Sequence, residues 1–302
     1  MLYNNLSAYL REKYNGRIKK ICIDGGFTCP NRDGKCGYGG CIFCGGRGSG
    51  DHITASRLPI PEQVRLSLDS IHGADGFIAY FQNYTNTYAP LETLRERYDS
   101  ALIDDRIVIL DVGTRPDCIG SGTADLLDSY RSRCDVWVEL GLQTAKDLTA
   151  EKINRGYGRS DFERAVGILR ERRIPVVVHI MIGLPGEGPD DVAETVDYVN
   201  GFGLWGIKIH SVYVMRGTVL EKMFLEGDYV PISLNGYAES AAYVLSHISP
   251  EMIVHRITGD CPEDLLTAPE WNRDKNRVIS EINRVMTEKG WTQGCLYNGG
   301  TR

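Results

Sequence analysis

Between Arg17 and Val214 the chain has six short β-rich runs, each of the first five followed by a loop and a stretch of helical period. The runs are Arg17–Ile23 (RIKKICI), Gly76–Gln82 (GFIAYFQ), Arg106–Val112 (RIVILDV), Asp135–Leu142 (DVWVELGL), Pro175–Ile182 (PVVVHIMI) and Gly206–Val214 (GIKIHSVYV). Most are nearly continuous in apolar character, as strands covered on both faces are. Helices are predicted over Ile60–His72, Pro90–Leu102, Ala124–Ser132, Ser160–Arg172 and Pro189–Asn200. Pro61 suits a helix start, and Ser160 with Glu163 forms a capping-box pattern. Strands alternating with helices pair in parallel through right-handed crossovers. The expected fold is therefore α/β, a partial (β/α)6 barrel of TIM type. A helix over Ser233–Ile248, a strand over Met252–Ile257 and a polar helix over Arg273–Lys289 read as a C-terminal α/β extension. The expected division is a barrel core with an N-terminal helix over 1–217 and an extension over 218–302 packed on it.

At 302 residues, 42% hydrophobic and 25% charged, the chain has ample material for one large core. It contains no run of about 18 apolar residues, so no transmembrane helix is expected. The start, MLYNNLSAYLREKYNGRIKK, lacks the basic-then-apolar order of a signal peptide and reads as a short amphipathic helix. A cytoplasmic protein is expected. A net charge of −6 gives no global field for nucleic acid. Basic residues do cluster at Arg11–Lys20, Arg155–Arg173 and Arg273–Arg284, with Tyr14, Tyr157 and Trp271 among them. Such patches suit single-stranded RNA loops or are ordinary solvated helix faces.

Sites in this architecture lie at the C-terminal ends of the strands. The loop after the first strand, CPNRDGKCGYGGCIFC, spaces its cysteines Cys29-x6-Cys36-x4-Cys41-x2-Cys44. An odd total of nine cysteines with four in one loop points to metal rather than disulfides. Four thiolates would make a structural zinc site. Three would hold three irons of a [4Fe–4S] cluster and leave the fourth open. Cys36 is a fourth ligand in the first case and a loosely packed thiol in the second. The later strand ends carry Gln82, Thr85 and Asn86 in YFQNYTNTY, Arg115 in GTRPDC, Glu139 and Gln143 in ELGLQT, and Gly183, Leu184 and Pro185 in GLPGE. Arg115 either grips a carboxylate with its fork or pairs with Asp117. Glu139 lies in an apolar strand and must find partners, at the barrel mouth or in a core pair with Lys or Arg. Lys208 and His210 share one strand face by their period of two, and His255 and Arg256 end the late strand.

The segments CPNRDG, GGCIFC and GSGD, then YFQ-x-YTNTY, TRPDC, ELGLQ, GLPGE and KIH, resemble the YhcC/YtqA-like radical S-adenosylmethionine (SAM) proteins, relatives of elongator-type radical SAM domains. The resemblance spans roughly residues 3–300. It implies a [4Fe–4S] cluster on Cys29, Cys41 and Cys44, with Phe43 before the last ligand and Cys36 left out. It implies SAM contacts from Gln82, Thr85, Asn86, Glu139 and Gln143, and an adenine-side turn at Gly183, Leu184 and Pro185. Arg115, Lys208 and His210 fall on the substrate side as catalytic candidates. The Gly-Gly-Glu-like turn usual after the second strand of radical SAM enzymes is absent. The implied reaction modifies a tRNA wobble uridine, converting a 5-carboxymethylaminomethyl group to 5-aminomethyl. Implied partners are tRNA and an electron donor such as flavodoxin or ferredoxin, with no membrane. A small-metabolite or protein substrate and a non-enzymatic zinc protein are the alternatives.

Overall fold

The computed structural model describes residues 1–48 and 57–299, so residues 49–51 of the GSGD segment lie outside the described residues. Its elements run α1 (Leu6–Tyr14), β1 (Ile18–Ile23), α2 (Ile60–Ser70), β2 (Gly76–Phe81), α3 (Leu91–Ala101), β3 (Ile107–Thr114), α4 (Ser121–Ser129) and β4 (Asp135–Gln143). There follow α5 (Asp147–Lys152), α6 (Arg159–Glu171), β5 (Val176–Ile182), α7 (Pro189–Asn200), β6 (Gly206–Ser211) and β7 (Val214–Met215). The chain ends with α8 (Val219–Glu226), α9 (Leu234–His247), β8 (Ile253–Arg256), β9 (Leu266–Ala268) and α10 (Lys275–Glu288). All six expected strands are present.

The main sheet is parallel throughout, in the order β1-β2-β3-β4-β5-β6-β8. It curls into a half-barrel. Its seventh strand is β8, which pairs in parallel with β6 at Gly206↔Ile253 and Ile207↔Val254. Beyond Ser211 the chain turns away, and β7 pairs antiparallel with β9 instead. The outer edge of β8 is covered by the N-terminal segment, where Val254 N–H donates to Asn4 O at 2.8 Å.

Two packed regions flank the strands. Their outward side chains and the helices form one large core, centred on residues such as Phe81, Leu110, Val138, Val178 and Ile209. Inside the curl, α1 plugs the lower end. Leu10 packs there with Ile78, Ile109 and Trp137, and the Trp137 and Trp205 rings lie 4.6 Å apart. The cap of α6 differs from the sequence pattern. The helix starts at Arg159, with Gly158 as N-cap, and Gly158 N–H donates to Asp161 Oδ2 at 3.3 Å. Asp161 thus takes the place expected of Glu163, whose carboxylate accepts from Tyr198 instead. Among the described residues no helix is long and apolar enough to cross a membrane.

Candidate active site

The C-terminal ends of β1 to β6 open on a cleft of about 230 Å³. Cys29, Cys41 and Cys44 border it together with Gln82, Thr85, Arg115, Glu139, Gln143, His179 and His210. Cys36 is not among the residues that border it and is exposed. Backbone bonds hold the loop, with Arg32 N–H on Cys29 O at 2.8 Å, Gly40 N–H on Asn31 O at 2.8 Å and Cys44 N–H on Cys41 O at 3.0 Å. Gly40 has φ +81°, and a Cβ there would stand 2.8 Å from Arg32 Nε, so the turn requires glycine. The loop is tied to the end of α5 by Asn154 Nδ2 on Gly40 O at 2.7 Å and by Ile42 N–H on Ile153 O at 3.1 Å.

The hydrogen bond from Cys44, with the charges of Arg115 and Arg155, holds the Cys41 thiol below its ordinary range against the opposing effect of burial. The same bond, then burial, pushes Cys44 well up. Arg115 is fully engaged. Its fork grips Asp117 at 2.9 and 2.8 Å, Nη1 donates to Arg155 O at 2.9 Å, and its N–H groups lie 3.9 Å from Cys29 Sγ and 3.4 Å from Cys36 Sγ. It is thus the Asp117 partner and faces sulfur, with no open fork for a further carboxylate. Among the described residues no three His, Cys, Asp or Glu side chains are grouped around a single-ion position. The three thiols instead share a cavity wall, which fits a multi-iron cluster taking one sulfur per iron.

The rest of the cleft fits a polar ligand. Thr85 Oγ1 is buried without a hydrogen-bond partner among the described residues. Gln143 takes a left-handed φ of +63°, and its Oε1 accepts from Tyr157 OH at 2.9 Å. A Cβ on Gly141 would stand 2.5 Å from Gln143 Nε2 and 3.2 Å from Tyr157 OH. Asn86 turns away from the cleft, its Nδ2 donating to Gly113 O at 2.7 Å and Phe81 O at 3.2 Å. Gly183, Leu184 and Pro185 border a different cavity, of about 630 Å³, with Tyr229, Tyr243 and Trp291. Leu184 is buried there against Ile42 and Ile153. The structure therefore brings Gln82, Thr85, Glu139, Gln143 and His210 to the cysteines, and leaves Asn86 and the GLPGE turn outside the cleft.

Beneath the cleft lies a polar floor that the sequence reading captured only in part. Glu139 Oε2 accepts from Tyr80 OH at 2.6 Å, from His179 Nε2 at 2.9 Å and from Lys208. Lys20 Nζ reaches Glu139 Oε1 at 3.4 Å and Asp111 Oδ2 at 2.8 Å. Lys208 is thus a buried partner of Glu139 and Tyr80. Burial pushes the Glu139 carboxyl up, but Lys20, Lys208 and His179 outweigh it and hold it well below its usual range. Burial, then the Glu139 charge, raises Asp111 to about 7. Burial depresses Lys208 to about 8 and keeps His179 and His210 neutral. Lys20, Tyr80, Asp111 and His179 were not singled out by the sequence. The signal was present, since Lys20 and Asp111 interrupt apolar strands as Glu139 does.

The basic patches lose members to the interior. Lys20 serves the floor, and Arg155 is wholly buried, donating to Thr144 O at 2.9 Å and Tyr157 O at 3.0 Å. The three aromatics are committed too. Tyr14 bonds Asp135, Tyr157 bonds Gly141 O at 2.7 Å, and Trp271 stacks on Tyr237 with centroids 5.4 Å apart. Arg11, Arg17, Lys19, Arg170, Arg173, Arg273 and Arg277 stay exposed.

The family model described as Radical SAM superfamily matches residues 31–199, and the Radical_SAM C-terminal domain model matches residues 204–288. The chain is 40% identical to the uncharacterized protein YtqA of Bacillus subtilis over 98% of its own length and 92% of that protein. It is 37% identical to protein YhcC of Escherichia coli over 96% of its length and 94% of that protein. A tRNA uridine(34) acetyltransferase of Dehalococcoides mccartyi is 30% identical over 54% of this chain and 36% of its own. Among solved structures, an archaeal Elp3 of Methanocaldococcus infernus superposes with a TM-score of 0.71 at 18% identity. That match covers 91% of this chain and 64% of the longer Elp3 chain, and it shows the shared fold.

Proposed function

From the premise that this chain belongs to the radical SAM superfamily, whose cofactors are a [4Fe–4S] cluster and SAM, we propose that it modifies the wobble-uridine side chain of tRNA. The proposed conversion is of a 5-carboxymethylaminomethyl group to 5-aminomethyl. When bound, the cluster and SAM would supply one-electron chemistry able to remove hydrogen from an unactivated carbon. Cys29, Cys41 and Cys44 are the residues that would hold the cluster. Arg115 Nη1 lies 3.9 Å from the Cys29 sulfur and places a guanidinium beside the cysteine loop. Thr85, Gln82 and Gln143 offer polar contacts to SAM in the same cleft. Phe43, Met181 and Met215 line its wall and exclude water from the reacting carbon.

The observation that carries this reading is the placement of three loop cysteines, without the fourth, on one cleft at the C-terminal ends of the strands. Support for the uridine substrate is the likeness of just over half the chain to a protein named for tRNA uridine(34). A small-metabolite substrate is the second reading; the acidic chain and the inward turn of Lys20 and Arg155 favour it. Anaerobic reconstitution with iron and sulfide, then SAM and dithionite, is expected to give a brown protein that forms deoxyadenosine. Nucleosides of cells lacking the protein should accumulate the 5-carboxymethylaminomethyl form. A reconstituted protein that forms no deoxyadenosine refutes the radical chemistry, and unchanged nucleosides refute the tRNA substrate.

A further inference from the structure

One group in the cleft is set up to exchange a proton. His179 Nε2 lies 2.9 Å from Glu139 Oε2, and Glu139 is wholly buried and held ionised by Lys208 and Lys20. An ionised carboxylate only accepts, so Nε2 carries the ring proton and Nδ1 keeps its lone pair. Among the described residues Nδ1 has no hydrogen-bond partner. The ring borders the cleft with 21% of the side chain exposed. The His210 ring lies 5.1 Å away, and among the described residues its Nε2 has no hydrogen-bond partner either. The groups around His179 are Lys20 from β1, Tyr80 from β2, Asp111 from β3, Glu139 from β4, Lys208 and His210 from β6, and His255 and Arg256 from β8. The nearby cations and burial keep the ring neutral at rest, while the carboxylate directly behind it stabilises the protonated ring once formed.

We propose that His179 Nδ1 takes a proton from, and returns it to, the molecule that shares the cleft with SAM, with Glu139 as the positioning residue that fixes the tautomer. This rests on the reading of the cleft as the reaction chamber. In the step, an O–H or N–H bond of the substrate breaks and its electron pair stays on oxygen or nitrogen. A new N–H bond forms at Nδ1, and the imidazolium charge is balanced by Glu139. No oxidant or reductant is consumed. Arg115 has its N–H groups engaged, and Lys208 donates to Glu139 and Tyr80 and does not border the cleft.

The test has two arms on cluster-loaded protein. In the first, ¹⁵N-histidine spectra are recorded at pH 7.5 and His179 is assigned with His179→Gln. A protonated Nε2 and an unprotonated Nδ1 are expected, with Glu139→Gln mixing the two tautomers; a protonated Nδ1 overturns the proposal. In the second, protein with SAM, dithionite and tRNA from cells lacking the chain is assayed for product per deoxyadenosine formed. His179→Ala should lower that ratio by about 100-fold, the lower end of the usual effect of a general acid–base group. Added imidazole should restore it at least about tenfold, at a rate that follows the unprotonated imidazole. A folded His179→Ala that keeps its ratio, or that imidazole does not rescue while His179→Gln behaves identically, overturns it. Absent deoxyadenosine in the parent sinks the radical reading instead, and the ring-nitrogen arm still decides the state of His179.

Discussion

Asp111 tests the barrel floor most directly, through Asp111→Asn. The side chain is fully buried; Oδ2 accepts from Lys20 at 2.8 Å, and Oδ1 has no hydrogen-bond partner among the described residues. Burial, then the neighbouring Glu139 charge, raises the carboxyl from 3.8 to about 7. A shift of about 3 pH units at about 1.4 kcal/mol each is worth about 4 kcal/mol. The unfolded chain gives up this proton near pH 3.8, whereas the folded chain keeps it to about pH 7. Between those values the folded state binds more protons, so stability falls as pH rises. The contribution is fully present below the unfolded value and lost as the pH passes the folded one. Asparagine cannot ionise and still offers an oxygen to Lys20. The unfolding free energy of the wild type should therefore fall relative to the variant by about 3 kcal/mol between about pH 5 and 8. Urea unfolding followed by tryptophan fluorescence reads this, because Trp137 and Trp205 pack just beneath the floor. A difference that stays flat or rises with pH would mean that Asp111 is ionised throughout as an ordinary partner of Lys20. The shared-charge account of the floor would then be wrong.

Cys36→Ser should keep the visible absorbance of the reconstituted cluster, while Cys29→Ser, Cys41→Ser and Cys44→Ser each lose it; absorbance spectra after anaerobic desalting decide this. Arg155→Ala strands the Leu142, Thr144 and Tyr157 carbonyls inside the core. It should cost at least about 3 kcal/mol, at roughly 1–3 kcal/mol per unsatisfied buried group, read as a lower urea midpoint. Gly141→Ala places a Cβ 2.5 Å from Gln143 Nε2. It should weaken SAM binding to the cluster-loaded protein by at least about tenfold in calorimetry with an unchanged circular dichroism spectrum, since about 1.4 kcal/mol of steric cost suffices.

The architecture was legible because burial on both faces writes itself into single strands. Most runs from RIKKICI to GIKIHSVYV are short and nearly continuous in apolar character, and all six became strands within a few residues of their expected ends. The seventh was read as part of an extension. A four-residue strand such as Ile253–Arg256 carries too little pattern to reveal that it continues the parallel sheet. The cap of α6 was misplaced for a related reason. Ser160 is a better capping residue than Gly158 by propensity, yet the extended Gly158 backbone and the reach of Asp161 set the start two residues earlier than Ser160 implied.

Side-chain direction is the harder quantity, and it separates what the site revealed from what it hid. Glu139 drew notice because a carboxylate in an apolar strand needs a partner, but its partners Lys20 and Lys208 lie 119 and 69 residues away along the chain. Only closure of the curl brings them together. Lys20 sits in a basic run, KK, that reads as a solvated face, yet strand alternation turns Lys19 outward and Lys20 inward. Arg155 is hidden more deeply still, since nothing in NRGYGRS distinguishes a guanidinium that caps core carbonyls from one that meets RNA. Composition counts both as surface charge. Once they are withdrawn, the basic face open to a polyanion is smaller than the sequence suggests, while the interior holds positive charge of its own beside the cleft. That charge is paired, Lys20 with Asp111 and Glu139 and Lys208 with Glu139, so it fixes the carboxylates under the cleft rather than the outer surface.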